Sequence, residues 1–261
     1  MKKLLGPLVV ALLVAGPAFA ADMPVKAPLN KAPPPPFTWT GLYIGANAGY
    51  GWNSTTGDEF CTTPAPALIV GGPGCSTAET GTLKAKGAFV GGQLGYNYQT
   101  GMFVWGIESD IHFSGIHDSA ALVTPCCNGF PPTPGMLTTS QSLDWFGTVR
   151  GRLGIAAWDR ALIYGTGGLI YGEENVAQQL AFPAISYPAA ATAMRSGWVA
   201  GAGLEYAFTN NFSAKIEGLF YDMGSQTIAF TALGGAGFTE STTFNFKGSM
   251  VRLGANLKFG P

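Results

Sequence analysis

Beyond residue 38 the chain is built of segments in which apolar and polar positions alternate with a period of two. In 42–52, Leu42, Ile44, Ala46, Ala48, Tyr50 and Trp52 share one face, and Tyr43, Gly45, Asn47, Gly49 and Gly51 share the other. Segment 86–98 sets Ala88, Val90, Leu94, Tyr96 and Tyr98 against Gly91, Gln93, Gly95 and Asn97. The clearest, 102–114, sets Phe103, Trp105, Ile107, Ile111 and Phe113 against Glu108, Asp110, His112 and Ser114. In 142–156, Leu143, Trp145, Val149, Leu153 and Ile155 oppose Asp144, Thr148, Arg150 and Arg152. Segments 195–208, 212–223 and 244–259 alternate in the same way. Segment 161–172 is apolar or Gly on both faces, so its sides cannot be assigned. Period two sustained over at least about 9–11 residues predicts tilted β-strands long enough to cross a bilayer.

The connections are as informative as the strands. Short links fall near Thr100–Gly101, Trp158–Arg160 and Thr209–Asn211, and long ones occupy about 53–84, 115–141, 173–194 and 224–243. Long and short alternate strictly. This predicts an all-β, eight-stranded antiparallel up-and-down transmembrane β-barrel with short periplasmic turns and long extracellular loops. In lipid every backbone N–H and C=O must find an internal partner, and a closed sheet has no edges to leave them unpaired. Glycines on the inner face let so few strands close tightly. Trp52, Phe113, Trp145 and Trp198 at one set of strand ends, with Tyr98, Phe103, Phe208 and Phe259 at the other, resemble two interfacial girdles.

Composition supports the membrane over a soluble β-sandwich, which would show the same period with apolar residues inward. Only 11% of the 261 residues are charged, against roughly 25% in soluble domains. Hydrophobic residues reach 47%, yet after residue 20 no apolar run approaches the length of a spanning helix. The net charge of −1 gives no sign of a nucleic-acid partner. The start reads as an export signal: Lys2 and Lys3, an apolar core from Leu4 to Ala15, and Ala18-Phe19-Ala20 as a cleavage site. Residues 1–20 are therefore a signal peptide, 21–38 a Pro-rich periplasmic arm, and 39–261 the barrel. Cys61, Cys75, Cys126 and Cys127 all fall in the long connections, where an exported chain favours disulfides of open connectivity.

The candidate site is inside the barrel. Strand direction places Glu108, Arg150, Glu217 and Arg252 at a common mid-barrel depth, with Asp110, Arg152, Lys215 and Glu205 above or below. Opposite charges in a confined lumen must pair, because an isolated buried charge is very costly. A paired network plugs the lumen; the competing reading is an ion-selectivity filter. His112 and Ser114, with His117-Asp118 beyond, carry the residue types of a hydroxyl activated by a general base, as in a lipid-A-modifying barrel enzyme. Both point into the lumen, away from any lipid substrate. GTGG at 165–168 lies inside a strand pattern with no following helix, which removes the phosphate-loop context. No metal or cofactor is expected.

The stretch WFGTVRGRLGIAAWDRALIYGTGGLIYG (145–172), the opening TWTGLYIGANAGYGW, the segment SAKIEGLFYDMG and the ending VRLGANLKF resemble the porin-family outer-membrane proteins of alphaproteobacteria, the group that includes major surface proteins of brucellae and rhizobia. The resemblance runs from about residue 38 to the end and is weakest in the long connections. It implies an eight-stranded barrel with roles in envelope integrity and surface contact; transport is credited only to some members, and no enzymatic activity is expected of this chain. It also implies a final strand read by the barrel assembly machinery through Phe259, although Gly260 and Pro261 follow that aromatic here. The partners expected are outer-membrane lipids, that machinery, and host or cell-surface contacts made by the outer loops.

Overall fold

The computed structural model describes residues 37–261 except 54, 63–79, 125–134, 159, 183–184, 232–238 and 261. The expected signal peptide and the expected Pro-rich arm up to residue 36 lie outside the described residues. The strands are β1 (Gly41–Asn53), β2 (Thr55–Thr62), β3 (Thr80–Leu83), β4 (Lys86–Thr100), β5 (Phe103–Thr124), β6 (Gly135–Trp158), β7 (Ala161–Phe182), β8 (Ile185–Ala207), β9 (Phe212–Thr231) and β10 (Thr239–Phe259). β2 prolongs β1 and β3 leads into β4, so ten segments make eight antiparallel strands in a ring. Each strand pairs with its chain neighbour, and β1 closes the ring on β10 from Leu42↔Phe259 to Asn53↔Gly248.

The outward wall between the girdles is apolar because it faces lipid: Ile107, Ile111, Val149, Leu153, Ile163, Leu169, Leu253 and Leu257 are all exposed. Trp52, Phe113 and Trp198 stand out at the upper rim, Tyr98, Phe103, Phe208 and Phe259 at the lower. The ambiguous segment resolves in β7, where Leu162, Tyr164, Thr166 and Ile170 are buried inside and Ile163 and Leu169 face out.

Above the upper girdle the strands continue, and three of the long connections, 115–141, 173–194 and 224–243, carry strand over most of their length. β5 runs on to Thr124, β6 begins at Gly135, and β7 and β8 extend to Phe182 and from Ile185. In this upper part the alternation reverses phase. Leu143, Val176, Phe244, Phe246 and Met250 are buried inside, while Ser140, Ser142, Asp144, Asn175 and Lys247 are on the outer side. Water replaces lipid outside, so the polar face turns outward as in any soluble sheet. A bulge between Leu143 and Trp145 makes the change on β6. Leu143 therefore packs inside rather than sharing a face with Trp145, which corrects the simple alternation read for 142–156.

At the lower mouth the chain entering β1 crosses the opening. Trp39 is buried against Val104, Leu162, Tyr164 and Ala207, with Phe37 edge-on to it at 5.0 Å between centroids. Its backbone N–H donates to Gln99 Oε1 at 2.7 Å, and Lys258 donates to the Thr38 carbonyl.

Candidate functional site

The eight inward charges meet in one buried layer, held by five strands. Glu108 and Asp110 come from β5, Arg150 and Arg152 from β6, Glu205 from β8, Lys215 and Glu217 from β9 and Arg252 from β10. Two of the contacts are written into the register, where Glu108 lies opposite Arg150 and Glu217 opposite Arg252. Glu108 is the hub. It accepts from Lys215 Nζ at 2.8 and 2.7 Å, from Arg252 Nη2 at 3.0 Å and from Arg150 Nη2. Arg252 also reaches Asp110 at 2.8 Å and Glu217 at 2.5 Å, and Arg152 reaches Glu205 at 2.6 Å. Four carboxylates thus face four cations, and no charge in the layer is left without an opposite partner.

Neutral groups complete the layer. The Tyr43 hydroxyl donates to Glu108 Oε2 and accepts from Arg152 Nη1, both at 2.7 Å. The Tyr164 hydroxyl donates to Glu217 at 2.8 Å, and Arg152 stacks over the Tyr164 ring at 3.9 Å. Thr148 donates to Asp110 through both its N–H and its hydroxyl, at 3.0 and 2.7 Å. A chain of amides runs from Asn47 to Gln93 at 2.9 Å, to Asn256 at 2.5 Å and to Glu205 at 2.8 Å. Glycine makes room for this. A Cβ on Gly95 would collide with the Tyr43 ring, and one on Gly203 would meet Tyr164 at 2.6 Å.

A second, apolar layer sits above the charges. Phe89, Phe146, Ile170, Val199, Leu219 and Met250 roof the network, with Leu83, Ile116, Leu143, Val176, Phe244 and Phe246 higher still, all buried. His112 marks the boundary. Its Nε2 is 2.7 Å from Asn47 Oδ1, its Nδ1 is 3.5 Å from Asp110, and its ring stacks on Phe146 at 4.5 Å. Ser114 lies at the bulge where β5 bends, accepting from the Ile116 N–H at 3.1 Å rather than engaging His112. His117 is exposed and bonds the Gly115 carbonyl. The arrangement needed for a base-activated hydroxyl is not formed by these residues. No cluster of His, Cys, Asp and Glu suited to a metal occurs among the described residues.

Within the apolar layer, three residues past Tyr171 and so beyond the membrane-spanning part of β7, lies Glu174. It is 3% exposed, accepts from Gln141 at 3.1 Å, and has Arg195 only at 4.0 Å. Burial pushes its carboxyl up to about 8, against the weaker opposing pull of Gln141 and Arg195.

Sequence reasoning placed the eight charges on the inner face but gave no role to Tyr43, Tyr164, Asn47, Gln93 and Asn256, although alternation already set Tyr43, Asn47 and Gln93 on that face. It missed the apolar layer altogether. Of the cysteines, Cys61 lies in β2 opposite Glu240, whereas Cys75, Cys126 and Cys127 are outside the described residues. Phe259 ends β10 on the closing seam, half-exposed to lipid.

Known proteins place this architecture. Residues 8–259 match the family model described as an outer membrane protein beta-barrel domain. The 31 kDa outer-membrane immunogenic protein of Brucella melitensis is 36% identical, covering 96% of this chain and 97% of that protein. The 22 kDa outer membrane protein of Rhizobium leguminosarum is 29% identical over 65% of this chain and 66% of that protein. The 25 kDa outer-membrane immunogenic protein of Brucella abortus is 27% identical over 80% and 78%. A lipid-facing apolar wall, a ring closed without an edge in the membrane, a family model matched over nearly the whole chain and a Brucella relative matched along 97% of its length converge on one assignment: the chain belongs to the outer membrane protein beta-barrel family and resides in the outer membrane.

Proposed function

We propose that this barrel works as a sealed structural and surface-contact protein of the outer membrane, without enzymatic activity. The observation that carries this reading is the double closure of the lumen. A charge-balanced layer spans the bore at mid-depth, and a packed apolar layer covers it. An ion passing through would have to break several buried ion pairs and then cross a packed, largely apolar layer, each step opposed by a large desolvation cost. The outer halves of β5 to β8, folded above the girdle, present polar faces to the surroundings. That two relatives are named immunogenic outer-membrane proteins fits exposure of such surfaces. Against an enzyme stands the placement of His112, whose ring is enclosed by Asn47, Phe89 and Phe146.

The test is single-channel recording of the refolded mature chain in planar bilayers, with folding first checked by the heat-dependent gel shift of such barrels. A folded, silent barrel supports the sealed reading. Discrete channels whose ion selectivity changes in Arg150→Gln or Arg252→Gln would replace it with a small porin.

A further inference from the structure

Above the roof, the apolar core is interrupted by polar side chains that their neighbours do not fully satisfy. Four of them line one small cavity: Asn53 of β1, Gln141 of β6, Glu174 of β7 and Tyr221 of β9, with Leu143 and Phe246 among its apolar walls. All four are at least nine-tenths buried. Each presents one oxygen with no hydrogen-bond partner among the described residues: Asn53 Oδ1, Gln141 Oε1, Glu174 Oε2 and the Tyr221 hydroxyl. A buried polar atom left unpaired is costly, and native proteins pair nearly all of them, with protein groups or with ordered water.

Four such atoms around one cavity point to a shared ligand, and size and charge select it. The cavity is about 10 Å³, close to what a single water needs and too little for an organic solute. A bare cation is disfavoured by Arg195, whose Nε stands 4.0 Å from Glu174 Oε2 and already offsets any charge on that carboxyl.

The hydrogen-bond inventory then fixes the roles. Gln141 Nε2 donates to Glu174 Oε1 at 3.1 Å, which leaves the amide oxygen and the second carboxyl oxygen to the cavity. Asn53 Oδ1 and Gln141 Oε1 can only accept, so between them they take both hydrogens of a water. Its lone pairs are left to accept, one from the Tyr221 hydroxyl and one from Glu174 Oε2. The second is possible only if that oxygen carries a proton. An ionised Glu174 would be a third acceptor competing for two hydrogens.

We infer that this cavity binds one water molecule, which holds Glu174 as the neutral acid by accepting from it and from Tyr221 while donating to Asn53 and Gln141. Burial acts in the same direction, pushing the Glu174 carboxyl up to about 8. Besides Glu174 and Tyr221, no titratable side chain lines the cavity. Of the charged groups nearby, Arg195 on β8 is engaged through Nη1 with the Ser225 carbonyl at 2.5 Å, and Asp118 on β5 accepts from the Lys84 N–H at 2.6 Å. The upper half of the barrel thus contains a proton site. Loss of the proton leaves the water one acceptor too many, so rising pH loosens this part of the core. The inference stands whether or not the bore conducts.

The experiment is infrared difference spectroscopy of the refolded mature chain in micelles, wild type minus Glu174→Gln, paired with a crystal structure of the wild type. The variant's amide N–H can donate to the same water, so the contact and the fold should survive the substitution. The difference spectrum should show one protonated carboxyl per chain at about pH 6, half lost near pH 8. The crystal structure should show one water within hydrogen-bond distance of all four oxygens. A Glu174 already ionised at about pH 6 overturns the proposal. So does a cavity without water, or a water out of reach of any of the four.

Discussion

The lower and upper halves of the lumen obey opposite rules within the same strands. On β6, Arg150 and Arg152 point inward at mid-membrane, and Leu143 points inward above the girdle. On β10, Arg252 and Asn256 are followed upward by Met250, Phe246 and Phe244. The backbone ladder is continuous, so what changes is the medium outside. Lipid demands an apolar exterior and leaves the polar residues to fill the interior. Water permits a polar exterior and lets the interior become an ordinary hydrophobic core. Two different kinds of closure result, one ionic and one apolar, stacked in a single bore.

Their energetics should separate under mutation. The largest effect is expected for Glu108→Ala, which strips the shared partner from Lys215, Arg150 and Arg252. Removing one member of a buried ion pair costs about 3–5 kcal/mol, because the remaining charges stay buried and uncompensated. Urea unfolding in detergent micelles should show that loss; a change under 1 kcal/mol would mean the layer is hydrated. Phe146→Ala, in the roof, should cost about 3 kcal/mol through the cavity it leaves, with no gain of conductance because the ionic layer beneath is intact. Conductance in that variant would show that the charges alone do not close the bore.

A smaller, pH-dependent effect belongs to Glu174. Its folded-state pKa is raised to about 8, so the folded chain holds a proton that the unfolded chain has already lost. The sign follows: its contribution is fully present below the ordinary carboxylate range and is lost as pH rises towards 8. Unfolding midpoints should fall between pH 5 and about 8, and Glu174→Gln should flatten that slope. A slope unchanged in the variant would assign the proton uptake elsewhere. At the bottom of the scale, Asp144→Asn on the wet outer face, where Asn175 donates to it at 2.9 Å, should alter stability by no more than about 0.5 kcal/mol.

The same contrast explains what the sequence revealed. In the membrane, lipid enforces one phase of alternation, so Phe103, Trp105, Ile107 and Ile111 announced both the strand and its outer face, and Glu108 and Asp110 its inner one. Above the girdle the phase reverses, and at bulges such as Phe113/Ile116 and Leu143/Trp145 it slips. A single phase carried through these points ends the strand there and predicts a connection, as over 115–141 and 173–194. β7 was illegible for a related reason. Its inward Leu162 and Ile170 belong to the apolar layers at either end of the charges, so both faces look alike. The partners of the ion pairs depend on strand tilt and register, which fix that Lys215 reaches Glu108 across the bore; periodicity carries no such information.

The central claim is that the upper halves of these strands are a folded continuation of the barrel around an apolar core. Hydrogen exchange of backbone amides along β7 in lipid nanodiscs tests it most directly. Val176 and Gln178 should be protected as Thr166 and Ile170 are, with protection ending towards Phe182. Exchange at Val176 and Gln178 at the rate of an unstructured chain, beside a protected Thr166, would contradict it.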